Sequence, residues 1–334
     1  MDVVLDVLDT FAFDRLYSSV LPASQSQLAL NKASFSTYNE NVNRYVSLPP
    51  SDWATRSDWA RDDVRRQALS LFLITWVFGL VLYFIGSTIS YHFIFDKRSM
   101  NHPKFLRNQL KMEVRQAMEA MPVMAALTTP FFVGEVRGYT KLYDSLSDAP
   151  FSLYNLLQFP LFMAFTDCCI YWIHRGLHHP MIYRRFHKPH HKWIVPTPFA
   201  SYAFHPVDGW SQSLPYHLFP FLFPLQKVAY LGLFTFVTIW TVLIHDGEYA
   251  TRSPVINGSA CHTLHHLYFN YNYGQFFTLW DRIGGSYRVP PDELFNDDLK
   301  MDQKQWEKQS REAEKLVKEV EGTDDRTYEG KKDL

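Results

Sequence analysis

Nine of the chain's fourteen histidines stand in three tight clusters: His174, His178 and His179 in HRGLHH, His187, His190 and His191 in HKPHH, and His262, His265 and His266 in HTLHH. Residues three and four apart share a face of an α-helix, so HxxHH and HxxxHH each project imidazoles toward one point. Imidazole is a ligand for iron, zinc, copper and nickel. A single zinc takes four ligands, and a catalytic one only three from protein. Nine histidines therefore exceed the needs of one ion, and two ions are the natural count. One such cluster occurs by chance in a histidine-rich loop; three between residues 174 and 266, each bordering an apolar stretch, read as a metal site.

The elements that must position these clusters are membrane segments. Hydrophobic residues make up 47% of the 334 and aromatic residues 16%, yet mean hydropathy is only −0.20, because polar ends flank an apolar middle. Residues 68–95 carry no formal charge, and a bilayer crossing needs about 20 apolar residues. The basic segment 96–115 holds six Lys or Arg against two acids, which places it in the cytosol by the positive-inside rule. Residues 117–138 form a second apolar stretch, interrupted by Glu119, Pro122, Pro130, Glu135 and Arg137. Its uninterrupted core is short for a crossing, so a tilted span or a re-entrant helix is expected. Residues 151–173 make a better span.

One further simple crossing between 212 and 245 would put His245 and the third cluster on the far side of the membrane from His174. The metal reading forbids that. The expectation is a hairpin: residues 214–225, broken by Pro215, Pro220 and Pro224, enter, and a helix from about 228 to 245 returns. The fold class is thus an all-α integral membrane protein, its transmembrane helices capped by a cytosolic, helical, His-rich di-metal domain. Residues 1–67 form a polar N-terminal region and 68–173 the membrane helices with the basic cytosolic loop 96–115. Residues 174–290 form the His-rich catalytic region with its membrane hairpin 212–245. Residues 291–334 form a charged cytosolic tail whose helix, over 301–322, shows no evident chemistry.

Asp167, Tyr171, His174 and His178 follow one helical face. An ionisable residue at membrane depth needs a partner, and Asp167 is expected to orient a ligand histidine from behind, as carboxylates often do. Between 168 and 207 there is no acid, while Arg175, Arg184, Arg185, Lys188 and Lys192 are basic. That face suits anionic lipid or an acidic redox partner. The net charge of −1 gives no argument for nucleic acid. Cys168, Cys169 and Cys261 give no disulfide framework and fit a reducing compartment. The N-terminus is no secretory signal peptide, and the KKDL end resembles a dilysine endoplasmic-reticulum signal.

HRGLHHP, HKPHH followed by VPTPFASYAFHPVDG, IHDGEY, and HTLHHLYFNYNYGQFFTLWDRIGGSYR together resemble the sterol desaturase and fatty acid hydroxylase superfamily. With HPKFLRNQ at 102–109, they look most like the C-5 sterol desaturases of fungi, over about residues 70–295. The resemblance implies a non-haem di-iron enzyme of the endoplasmic reticulum membrane. It implies electrons from NAD(P)H through a reductase and cytochrome b5, and O2-dependent conversion of a Δ7-sterol to a Δ5,7-diene, a step toward ergosterol. It implies as ligands the nine clustered histidines plus His245. A histidine four residues before His245 occurs in hydroxylases of the superfamily, but here that position is Thr241; His205 is the candidate replacement or else faces the substrate, and His217, His92 and His102 rank below it.

Asp208, Asp246 and Asp281 are further candidates for residues behind the ligands. A flat apolar sterol calls for a concave apolar pocket, with Phe199, Tyr202, Phe204 and Trp210 on one side and Tyr268, Phe269, Tyr271 and Tyr273 on the other. Within the same chemistry, a sterol C-4 methyl oxidase or a lipid hydroxylase is the alternative. From another class, a membrane zinc transporter or buffer would string its ligands along a path through the bilayer, whereas these clusters begin where the spans stop.

Overall fold

A computed structural model describes residues 1–32, 48–49, 51–249 and 252–328. Among the described residues, three helices are long and apolar enough to cross a membrane: Val64–Phe93, Gln109–Val136 and Tyr154–Leu177. A spanning segment must satisfy its backbone internally, which a helix does. The most apolar window of the first is only 22% buried within the protein. Val77, Val81, Ile85 and Ile89 instead point outward, as a lipid-facing surface requires.

The second candidate span is longer than the apolar stretch 117–138. It is one continuous helix of 28 residues that runs through Pro122 and Pro130, and it begins within the segment read as the basic loop 96–115. Its interrupting charges sit where they are answered: Glu119 is exposed and pairs with Arg115, and Glu135 accepts from the Met1 amino group. Similarly, the entering leg of the hairpin is not broken at its prolines. Pro206–Leu222 is helical through Pro215 and Pro220, followed after a short turn by Lys227–Leu243. The rings of His217 and Phe234 lie 5.7 Å apart, so the second helix returns along the first.

The chain divides into two compact units. The first comprises Met1–Phe78, Ala125–Asn155 and Pro220–Ala229. Its N-terminal residues, part of the polar region 1–67, are helical over Asp2–Leu8 and Asp14–Val20 with one wider turn between. Leu5 packs with Leu71, Ile74 and Phe132. The reason for the order is a buried ion network: Arg61 reaches Asp6 (2.9 Å) and Asp14 (2.5 Å), and Arg66 reaches Asp9 (2.7 Å) and Asp14 (2.5 Å). Buried charges persist only when paired.

The second unit comprises Gly79–Met124, Leu156–Phe219 and Tyr230–Leu334 and holds all the clustered histidines. The tail helix Gln303–Glu321 is part of it rather than an appendage. Asp302 caps its first turn by accepting from the Gln305 amide. Its Val317, with Leu316 and Val320, packs against Leu264, Leu267 and Tyr268 of the histidine-bearing helix Ser259–Tyr268. The KKDL end lies outside the described residues.

Candidate metal centre

Four helices of the second unit, with the residues that flank them, bring nine imidazoles into two groups. His174, His178, His187, His191 and His265 form one; His190, His245, His262 and His266 form the other; within each group the candidate donor atoms lie within 4.8 Å of one another. His174 closes the third membrane helix, His190 and His191 end the one-turn helix Lys188–His191, and His245 follows the helix Lys227–Leu243.

Five of these rings have their outer nitrogen committed. His174 Nδ1 donates to the Tyr273 carbonyl (2.9 Å), His265 Nδ1 to the Tyr271 carbonyl (2.7 Å) and His245 Nδ1 to the Thr241 carbonyl (2.7 Å). His187 Nδ1 donates to Asp208 Oδ2 (2.8 Å) and His190 Nδ1 to the Ala203 carbonyl (3.4 Å). A carbonyl only accepts, so in a neutral ring the proton sits on Nδ1 and Nε2 carries a bare lone pair.

The Nε2 atoms of eight rings converge in pairs, and in His174–His187 both carry bare lone pairs. Nε2–Nε2 separations are 3.1 Å for His174–His187, 3.2 Å for His178–His191, 3.0 Å for His191–His265, 2.9 Å for His245–His262 and 3.1 Å for His262–His266. Converging acceptors without a proton between them repel, and a cation relieves the repulsion. Two nitrogens each about 2.1 Å from one ion at a right angle lie about 3.0 Å apart, against about 3.4 Å at a tetrahedral angle. The donor set therefore fits two ions of higher coordination number better than tetrahedral zinc.

Burial, reinforced by neighbouring imidazoles, pushes His190, His191, His262, His265 and His266 well below the ordinary histidine range. They are neutral at pH 7 and have no proton to shed on binding a metal. Burial opposes the charge of Asp208, yet the His187 ring and the Gln212 amide (2.7 Å) hold it ionised, below the usual carboxylate range.

A loop after the helix Ser259–Tyr268 supplies two of the orienting carbonyls. Phe269 (φ +60°) and Asn272 (φ +56°) both take the left-handed backbone. Asn272 holds the turn, its Nδ2 donating to the Cys261 (3.2 Å) and Arg288 (3.0 Å) carbonyls while its Oδ1 accepts from the Arg288 amide (2.9 Å). Asp281 accepts from the Tyr273 and Gly274 amides, both at 2.8 Å. Neither residue touches a histidine ring; both act through the peptide groups that do.

Several expected residues stand elsewhere. His179 is outside both groups: it is exposed, past the end of its helix, and its Nδ1 accepts from the Met181 amide to start the next helix. His205 is also outside, accepting from the Val207 amide with its ring against Phe186. Asp167 orients no histidine but accepts from the Phe276 (2.7 Å) and Phe277 (3.3 Å) amides, pinning the same loop. Asp246 accepts from the Glu248 amide, and only Asp208 of the three carboxylates named with the site backs a clustered ring directly.

Of the aromatic residues, Phe204 lies against His190 (5.8 Å between centroids), Tyr202 against Phe204 (5.9 Å), and Tyr83 against Tyr202 and Phe199 (5.7 and 6.1 Å). Gly209 makes room for this wall, since a methyl there would come within 1.9 Å of the Phe204 ring. Tyr273 packs on His178 at 4.9 Å, and the buried Phe269 stacks on His191 at 4.9 Å. Tyr268 packs with the tail helix, Tyr271 contributes its carbonyl, and Trp210 is half-buried on the helix Pro206–Leu222.

Residues 159–286 match the family model described as fatty acid hydroxylase. Over its length the chain is 66% identical to the Delta(7)-sterol 5(6)-desaturase erg3B of Aspergillus fumigatus, covering 98% of each chain. It is 56% identical to the Delta(7)-sterol 5(6)-desaturase of Leptosphaeria maculans, over 99% of this chain and 98% of the relative. It is 47% identical to the Delta(7)-sterol 5(6)-desaturase ERG3 of Candida albicans, over 98% and 99%. No solved structure matches the chain.

Proposed function

The chain belongs to the fungal Delta(7)-sterol 5(6)-desaturases of the fatty acid hydroxylase family, and from that premise we propose that it introduces the C5–C6 double bond into a Δ7-sterol of ergosterol biosynthesis at two iron ions. The observation that carries the reading is the convergence of nine imidazoles, eight buried and that of His178 half-buried, in a group of five and a group of four. One ion is held by His174, His178, His187, His191 and His265, the other by His190, His245, His262 and His266. Such donor counts exceed the three protein ligands of a catalytic zinc, which supports iron.

Iron, when bound, supplies the oxygen chemistry that an unactivated C–H bond requires. Overall, the sterol loses one hydrogen from C5 and one from C6, and O2 takes up these with two electrons and two protons to give two waters. The protein's own part is orientation and exclusion of water. Asp208 and the Thr241, Ala203, Tyr271 and Tyr273 carbonyls hold the rings in the tautomer that presents Nε2. Phe199, Tyr202 and Phe204 form an aromatic wall beside His190 that suits a flat apolar ligand.

The two electrons come from NAD(P)H through a reductase and cytochrome b5, a reading supported by the exposed Arg184 and Arg185 on the helix before HKPHH, a positive face fit for an acidic donor. The enzyme sits in the endoplasmic reticulum membrane with its site cytosolic, a reading supported by the basic segment 96–115. The test is one assay on purified protein: metal content together with O2- and NADH-dependent turnover of a Δ7-sterol, with cytochrome b5 and its reductase added. A Δ5,7-diene with two irons per chain is expected. A hydroxylated or C-4-oxidised product, or zinc in an active preparation, refutes the reading.

A further inference from the structure

We infer that residues 321–328 form a strap that positions the metal ligands, with Arg326 the positioning residue that fixes His190 and His191. The inference rests on the metal reading above. Lys188–His191 is a single helical turn, and a lone turn is unfavourable without outside support. It is also, with the helix Ser259–Tyr268, an element on which both groups depend, since His190 belongs to the group of four and His191 to the group of five. A small rotation of this turn displaces a ligand of each ion.

The support comes from the C-terminal segment. The last carbonyls of a helix have no partner within it, and the Arg326 guanidinium supplies one to the His191 carbonyl at 3.0 Å. A cation at a helix C-terminus is also favoured by the helix dipole. Arg326 is in turn held by a two-point contact to the buried Glu321 carboxylate (2.7 and 3.0 Å) and by Asp324 (3.2 Å). Glu321 further accepts from the Tyr183 hydroxyl (3.1 Å) and pairs with Lys188 (3.2 Å). One carboxylate thus ties the strap to Tyr183, on the helix before the histidine turn, and to Lys188, the first residue of the turn.

Beyond Arg326 the strap is anchored at its far end. The Thr327 carbonyl accepts from the Arg107 amide (3.2 Å). Tyr328 packs in a buried cluster with Leu106, Trp193, Ala200 and Ala203. The Tyr328 hydroxyl donates to Asp324 (2.6 Å) and the Lys104 ammonium lies over its ring at 4.4 Å. Side-chain exposure is 2% for Arg326 and 0% for Glu321, so these are contacts of an interior and not of a solvated tail.

The experiment uses the full chain in detergent, with wild type, Arg326→Lys, Arg326→Met, and Arg326→Met combined with Glu321→Gln. Ferrous ion is titrated into metal-free protein, and hydrogen exchange of residues 187–193 is followed in the same metal-free samples. Wild type is expected to bind two equivalents. Arg326→Met should weaken both sites about 10–100-fold, the usual effect of losing an outer partner of a metal ligand, and should speed exchange at 187–193. Arg326→Lys should recover part of the affinity, because it keeps the cation but not the fork.

The combined variant separates positioning from a stranded charge. If Arg326 acts by holding His191, neutralising Glu321 leaves binding weak. Recovery of wild-type binding in the combined variant overturns the proposal, as does wild-type binding in Arg326→Met. A wild-type protein that binds no metal overturns the metal reading itself, a result that none of the variant comparisons can mimic.

Discussion

Replacing Asp208 by Ala tests whether the outer hydrogen bonds aim the lone pairs. Asp208 and His187 are each 0% exposed, and their contact is 2.8 Å. Without the carboxylate, the His187 N–H is buried with no acceptor, which costs about 1–3 kcal/mol of stability. The ring proton is then no longer confined to Nδ1, and the tautomer protonated on Nε2 cannot bind a metal. An outer partner of this kind is typically worth about 10–100-fold in metal affinity, or about 1.4–2.7 kcal/mol.

The loss should fall on the group of five, to which His187 belongs, and spare the group of four. Asp208→Asn should be milder. Its amide oxygen can still accept from His187 if the half-buried Gln212, now bonded to the other carboxylate oxygen at 2.7 Å, turns its own amide to present oxygen. Anaerobic titration of metal-free protein with ferrous ion reads both sites. Asp208→Ala binding two equivalents with wild-type affinity, or Asp208→Asn proving worse than Asp208→Ala, refutes the reasoning.

Acid should destabilise the metal-free protein. Burial and mutual repulsion keep His190, His191, His262, His265 and His266 neutral in the fold, while the unfolded chain takes up protons below about pH 6.5. The unfolded state then binds more protons, so stability falls as pH drops through that value, by up to about 1.4 kcal/mol per group per pH unit; a thermal midpoint unchanged between pH ~7.5 and ~5.5 contradicts this. Asn272→Gly keeps the left-handed backbone and loses only the side-chain bonds, whereas Asn272→Ala adds roughly 1–2 kcal/mol of backbone strain. Chemical denaturation should rank Ala below Gly, and the reverse order would show that the turn is not strained. His179→Ala should retain sterol conversion and both metals, in contrast to His178→Ala, which should lose conversion; equal loss in the two would return His179 to the site.

Much of this was legible in the sequence because its causes are local. Bilayer thickness sets the length of an apolar run, so the spans at 68–95 and 151–173 declare themselves. Prolines misled at 214–225, since a helix packed among others in an apolar setting continues through Pro215 and Pro220. Val317 lies in a stretch dominated by charge, and its role is visible only beside Leu264 and Leu267. The histidines were legible by type and spacing. Asn272, Asp281 and Arg326 were not, because they work through backbone carbonyls and amides, which carry no residue signature; the one available sign was the turn-forming Asn and Gly in NYNYG.

The spacing rule also carried more information than a shared face. On a helix, a residue four on is rotated by about 40° and a residue three on by about 60° the other way, so the two differ by about 100°. The groups follow that geometry. The pairs four apart, His174 with His178, His187 with His191 and His262 with His266, each stay within one group, while His190 and His265 leave their neighbours for the other. The adjacent pairs His190/His191 and His265/His266 are therefore each divided between the two groups, as the proposed two-ion site requires. His190→Ala and His191→Ala should each retain one tightly bound ion, but not the same one. With cobalt as a spectroscopic probe, the first should show the spectrum of the five-histidine group and the second that of the four-histidine group. Identical residual spectra would mean that the doublet serves a single ion, and the division of ligands would have to be redrawn.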